Sequence, residues 1–460
     1  MRVEFRTRDH RGTRWLAVCG PAAALLLAAL AVPSNAEMPE SYRKTWTELR
    51  PQIDSSIERH RKSDATIEVV DAEGKPVPDA SLDIRQKTQT FLFGCNILPL
   101  GQLGDRNEAY EQGFVKLFNL ATTTFCWSAV EPKPGQMRFA EGSEEIWRRP
   151  PPDRVVAFGK KHGITLKGQP LLAGSWHPSW APKDREQVKE LYREWFAKVA
   201  ERYGNDIQIF DVVNESQCHR NFCLYTPELE YVGWAFREAQ AVFPDKTLLE
   251  INEGTEVNGP WRDKYFQQVK DLVDQGAGVE SVGFQFHLFS TAALKNHLEG
   301  KAFPPSQLLE TYAKFCDLGL PLFITEITIP TTLEAGPAGE AIQAEALANL
   351  YRLWFSVPRM AGIIHWNLAD GAAWKSEGKV KAGLLDEYMC EKPAYQALYQ
   401  LIKREWKTRL AMKTDPQGKA GFRGFHGKYD VTVAAGDRSQ QFEIDLTSEG
   451  PAVHRLSLKP

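Results

Sequence analysis

Eight short apolar runs that read as buried strands recur about every 30 to 45 residues along this chain. They are FLFGCNI from residue 91, NLATTTF from 119, ITLKGQPLL from 164 and IQIFDVV from 207, then TLLEIN from 247, SVGFQFHL from 281, PLFITEI from 321 and AGIIHWNL from 361. Helical patterns lie between them. In 184–203, Val188, Leu191, Tyr192, Trp195, Phe196, Val199 and Tyr203 share one helix face. Further helices are expected to start at Pro227, Arg262, Pro305, Ala338 and Lys392. Strands alternating with helices imply a parallel sheet with helical crossovers. Eight of them close a (β/α)8 TIM barrel, whose active site lies at the carboxyl ends of the strands.

The barrel is expected over residues 91–406. Residues 37–90 read as a polar helix followed by a short β element, with Ile67, Val69, Leu82 and Ile84 alternating around the turn Asp71–Pro76. Residues 407–460 return to period two at Tyr429, Val431, Val433, Phe442, Ile444 and Leu446, which reads as a small all-β appendage. Either packing against the barrel or binding of carbohydrate would suit it, and packing is the simpler reading. At the front, five arginines precede the apolar run Ala22–Val32 and the small residues Ser34-Asn35-Ala36. That is the pattern of an export signal over 1–36, directing the chain to the periplasm or outside the cell. The run is too short to span a bilayer, which needs about 20 apolar residues. No later segment approaches that length.

A net charge of −3 offers no positive excess for a nucleic-acid backbone. No zinc-ligand spacing appears, and no metal or cofactor is expected. Cys218 and Cys223 are the one close cysteine pair. In an oxidising compartment a disulfide there would close a small loop.

Polar residues at strand ends carry the chemistry. The fourth run ends in Asp211-Val212-Val213-Asn214-Glu215, and the seventh in Ile324-Thr325-Glu326. A carboxylate emerging from an apolar strand end is costly unless partnered. Two glutamates at one barrel mouth are the machinery of glycoside hydrolysis, one protonating the departing oxygen and the other attacking the anomeric carbon. Two salt-bridged structural acids would share that spacing. While Glu326 is ionised, its charge is expected to raise the pKa of Glu215.

The motifs in order resemble glycoside hydrolase family 10, the endo-β-1,4-xylanase family. DVVNES (211–216) is similar to its acid/base motif and FITEIT (323–328) to its nucleophile motif. VGFQFHL (282–288), HWNLADGAAW (365–374) and GLLDEYMCEKPAYQAL (383–398) resemble its later elements. The resemblance implies that Glu215 is the general acid/base and Glu326 the nucleophile. It further implies that Asn214 and Gln285 face substrate, that His287 orients Glu326, and that Trp366 and Trp374 wall the site.

The chain departs from the family where an Asn-Glu-Met-Lys-Trp string is usual: here stands Thr123-Thr124-Phe125-Cys126-Trp127, retaining only the tryptophan. The usual Arg-Gly-His is Lys167-Gly168-Gln169, and Ala173-Gly174 replaces a Trp-His pair. Trp176-His177, three residues on, could partly fill that gap. Thr328 stands where an aspartate often supports the histidine. Trp127 and Gln169 complete the candidate sugar-binding set. The implied function is a retaining hydrolase cleaving internal β-1,4 linkages of xylan or a related plant-type β-glycan. The alternatives are a catalytically weak carbohydrate-binding relative or a glycosidase of another β-glycan.

Overall fold

The computed structural model describes residues 38–254, 259–331 and 336–459; the export signal expected over 1–36 lies outside them. The strands are β1 (Lys62–Val70), β2 (Ser81–Gln86), β3 (Leu92–Asn96), β4 (Leu120–Thr124) and β5 (Thr165–Gln169), followed by β6 (Ile209–Asn214), β7 (Leu248–Glu253), β8 (Ser281–His287), β9 (Leu322–Thr328) and β10 (Met360–His365). The chain ends with β11 (Arg409–Lys413), β12 (Lys419–Phe425), β13 (Gly427–Ala435), β14 (Arg438–Leu446) and β15 (Ala452–Ser457). Strands β3 to β10 pair in order and β10 closes on β3, forming a barrel. Each of these eight overlaps one of the eight apolar runs, with β6, β7, β9 and β10 each extending one residue beyond it. The fold is a (β/α)8 barrel with additional β strands.

The helix read at 184–203 is Arg185–Tyr203, capped by Asp184, whose side chain accepts from Gln187 N at 3.0 Å. It buries Val188, Tyr192, Trp195, Phe196, Val199 and Tyr203 against the barrel.

Inside the barrel, the two-residue repeat of each strand stacks side chains in layers. Leu120, Ile209, Phe323 and Ile364 form a small apolar cluster, with Leu248 against it. Two residues beyond Ile209 and Leu248 come Asp211 and Glu250, both fully buried around Lys167. The Lys167 ammonium pairs with Asp211 and with Glu250 Oε1 at 2.9 Å. Burial opposes its charge, but the two carboxylates outweigh it and hold its pKa above the usual range. Another step along β5 and β7 brings Gln169 and Asn252 to the mouth. Gly283 leaves space for this packing: a Cβ there would lie 2.7 Å from Asn252 Oδ1 and 3.0 Å from Glu250 Oε1.

The remaining strands form two sheets, ordered β12-β1-β15 and β11-β2-β13-β14. β1 runs antiparallel to β12 and parallel to β15, while β2 is antiparallel to both β11 and β13. The N-terminal β element and the C-terminal strands therefore interleave into one module. They share a core that includes Ile67, Val69, Leu82, Ile84, Tyr429, Val431, Val433, Ile444 and Leu446. Among the described residues, no helix is long and apolar enough to cross a membrane, and no cluster of His, Cys, Asp or Glu could hold a metal ion.

Candidate active site

Two irregularities in the barrel ladders aim the strand-end polar groups. The β6–β7 register shifts between Asp211 and Val213, so Asn214 rather than Val213 joins the inward row. The β8–β9 register shifts between Phe284 and Gln285, which pairs Gln285 with Glu326. Bulges of this kind re-aim side chains beside active sites.

Glu326 is 4% exposed. Its Oε1 accepts from Gln169 Nε2 and from Asn252 Nδ2 at 3.3 Å. Its Oε2 lies 3.2 Å from His287 Nε2, and His287 Nδ1 lies 2.8 Å from Thr328 Oγ1. Threonine thus occupies the supporting position with a neutral partner. Burial raises the Glu326 pKa, and the bond to and charge of His287 only partly offset it.

Glu215 follows β6 in a left-handed conformation, φ +55°. Its N–H donates to Asn252 O at 2.9 Å. Its Oε1 accepts from Gln285 Nε2 at 2.9 Å, and its Oε2 lies 3.1 Å from His219 Nε2. Burial alone would raise its pKa, but the bonds to His219 and Gln285 and the charges of His219 and His287 outweigh burial and lower it. The pair titrates in the opposite order from the sequence expectation. The physical reason is His219, which reaches the carboxylate from the following loop and whose own pKa is raised mainly by that bond.

Asn214 Oδ1 accepts from Asn252 Nδ2 at 2.9 Å and from Gln285 Nε2 at 3.4 Å, which fixes the amide at the cleft floor. Behind it, Glu253 Oε1 accepts from Ser216 Oγ at 2.5 Å and from Gln217 N at 3.0 Å, holding the turn after Glu215. Burial pushes the Glu253 pKa up to about 7.

An open cleft of about 680 Å³ lies over these groups. Trp366, Trp374 and Trp176 line it together with Thr122, Thr123, Thr124, Cys126, Gln169, Arg148, Arg149 and Glu377. Trp127 is not among its walls. That ring is buried, stacked on Trp195 at 5.8 Å, with Nε1 donating to Glu131 Oε2 at 2.7 Å. His177 also turns away, packing on Tyr192 and Phe222, so only Trp176 of that pair reaches the cleft.

The Cys218–Cys223 disulfide expected from spacing is absent: Cys223 carries a free thiol. Cys223 packs against the core while Cys218 is exposed. Between them Phe222 N donates to His219 O, turning the loop so that Phe222 plugs against Tyr192 and Tyr231.

Comparison with known proteins bears on this arrangement. The profile of glycosyl hydrolase family 10 matches residues 86–401, more than half of the chain. The chain belongs to glycosyl hydrolase family 10. Anti-sigma-I factor RsgI6 of Acetivibrio thermocellus is 26% identical over 391 residues, covering 83% of this chain but 46% of that protein, so the chain spans less than half of this relative. Endo-1,4-beta-xylanase 2 of Aureobasidium pullulans is 28% identical over 318 residues, covering 65% of this chain and 84% of its own. Native xylanase 10B from Thermotoga maritima superposes with a TM-score of 0.57 at 21% identity, covering 69% of this chain and 96% of that one. A family 10 structure from Paenibacillus barcinonensis gives 0.55 at 23%, covering 67% and 94%.

Within family 10 the departures now have positions. The Thr122 and Thr123 hydroxyls and Gln169 Oε1 are buried in the cleft wall without a partner among the described residues. Ala173-Gly174 makes room for the loop that carries His219. A Cβ at Gly174 would lie 2.7 Å from His219 Cβ and 2.9 Å from Phe222 Cβ. Asn252 ends the fifth run and was as visible in sequence as Asn214, on the same strand-end rule. Arg148, Arg149 and His219 lie in loops without periodicity and gave no such signal.

Proposed function

We propose that this chain is a retaining glycoside hydrolase that cleaves internal β-1,4 linkages of xylan or a related β-glycan. The observation that carries the reading is the pair of glutamates at the ends of β6 and β9, each held by an amide and an imidazole at one cleft. In this mechanism Glu326 attacks the anomeric carbon as Glu215 protonates the departing oxygen. Glu215 then deprotonates a water that attacks the anomeric carbon of the glycosyl-enzyme, breaking its bond to Glu326 and freeing the sugar. Asn214 is placed for the sugar 2-hydroxyl, and Trp366 and Trp374 offer faces to sugar C–H groups. Export through residues 1–36 would suit a polymeric substrate.

A second reading, a carbohydrate binder with weak turnover, draws on Thr123, Gln169 and Gly174 and on a relative named as an anti-sigma factor. One experiment separates them: hydrolysis of soluble β-glycans followed by proton NMR of the first product formed. The retaining reading predicts the β anomer appearing first. The α anomer first would contradict double displacement, and binding without hydrolysis would favour the second reading.

A further inference from the structure

Arg148 and Arg149 stand on the cleft wall built by the loop after β4. Arg148 is 2% exposed. Its Nη1 donates to Asn367 Oδ1 at 2.9 Å and to Ala372 O, but its Nε is buried without a partner. Arg149 donates from Nη1 to Arg148 O at 2.7 Å, and its Nε is likewise buried and unpartnered. Among the described residues neither guanidinium has a carboxylate within ion-pair distance. Glu377, on the same wall, is engaged by Asn367 Nδ2 at 3.0 Å. Buried charges in proteins are ordinarily paired, because removing an ion from water without a counter-charge costs several kcal/mol. Burial accordingly lowers the Arg148 pKa to about 10.

The geometry of Arg149 narrows what could supply that counter-charge. Its guanidinium carbon lies 4.6 Å from the centre of the Trp176 ring and 5.8 Å from that of Trp374. Two indoles therefore hold a planar fork beside the glutamate pair. Such a fork matches the two oxygens of a carboxylate in the same plane. Both tryptophans line the same cleft as the glutamates, so an anion held between them would be part of the ligand that fills the cleft.

We propose that the cleft recognises a β-glycan bearing a uronic acid, with Arg149, backed by Arg148, binding the sugar's carboxylate between Trp176 and Trp374. The inference rests on the glycosidase reading for the place of the cleft, not for the chemistry of the arginines. It also gives a reason for the replaced polar residues around Thr123 and Gln169: part of the grip on the sugar passes from hydroxyl contacts to a charge contact.

The test is calorimetric binding to the Glu326→Gln protein, which removes the proposed nucleophile. The probes are a xylo-oligosaccharide carrying a glucuronic acid branch, the same compound with its carboxyl reduced to an alcohol, and a linear oligouronate. The acidic branched compound should bind about tenfold or more tightly than its reduced twin, the scale of one charge-assisted hydrogen bond. Arg149→Met in the same background, which keeps the aliphatic stem on Trp176, should erase the difference. Tighter binding of the linear oligouronate would place the acid in the main chain, and tighter binding of the branched compound would place it in a branch. Equal binding of the acid and its reduced twin overturns the proposal and leaves the glycosidase reading intact. A preference surviving Arg149→Met also overturns it. Failure of every glycan to bind, with no hydrolysis by the wild-type protein, overturns both.

Discussion

A left-handed backbone at a non-glycine residue costs about 1–3 kcal/mol and persists only where its surroundings enforce it. At Glu215 they do so through three bonds: backbone to Asn252 O, and carboxylate to Gln285 and His219. His219 sets the protonation of this carboxylate. It stabilises the ionised form, so Glu215 releases its proton at lower pH than an ordinary glutamate. Removing the imidazole removes both a hydrogen bond and a positive charge, and the Glu215 pKa must rise. With Glu215 titrating below Glu326, the acid limb of kcat/KM reports Glu215, so that limb should move to higher pH in His219→Ala. Gly174→Ala should move it the same way, since the new Cβ displaces His219. A pH–rate profile in which either variant leaves that limb unmoved, or moves it downward, would contradict the assignment.

At the scale of elements, the bulges in β6 and β9 and the interleaved β module show what periodicity records and what it omits. All eight barrel strands and the helix at 184–203 were legible, because burial on a strand or one helix face imposes its period directly. The bulges were not, since one extra residue in a ladder leaves no mark in so short a run. Nor was the pairing of β1 between β12 and β15, where more than 340 residues separate partners such as Ala65 and Phe422. The alternation at Ile67 and Val69 reports a buried face without naming the sheet. This pairing has a consequence for stability. Deleting residues 409–459 would leave β1 and β2 without any sheet partner and expose Ile67, Val69, Leu82 and Ile84. At roughly 1.5–3 kcal/mol per buried aliphatic side chain, the loss rivals the ~5–15 kcal/mol that holds a domain folded. The truncated chain should aggregate or melt far below the full chain; an unchanged Tm would show that the module is dispensable to the fold.

Across the whole molecule, the barrel brings residues from four strands and five loops to one cleft, and legibility divides along that line. Asn214, Gln285, His287 and Gln169 were readable because the carboxyl end of a barrel strand is a defined place in the sequence, whereas Trp366 and Trp374, beyond the end of β10, were readable only through the resemblance to the family. Trp127 was misplaced for the complementary reason: a residue beyond the strand end follows its loop, and this loop turns it into the aromatic cluster around Trp195. Arg148, Arg149 and His219 became visible only in three dimensions. The central claim concerns the division of labour between the two glutamates, and the leaving-group dependence of Glu215→Ala tests it most directly. On β-xylosides with good leaving groups the first step needs little protonation, so its rate should survive. On xylan or poor leaving groups it should fall by about 10²–10⁴, the usual contribution of a general acid. An equal loss on both kinds of substrate would contradict the role assigned to Glu215.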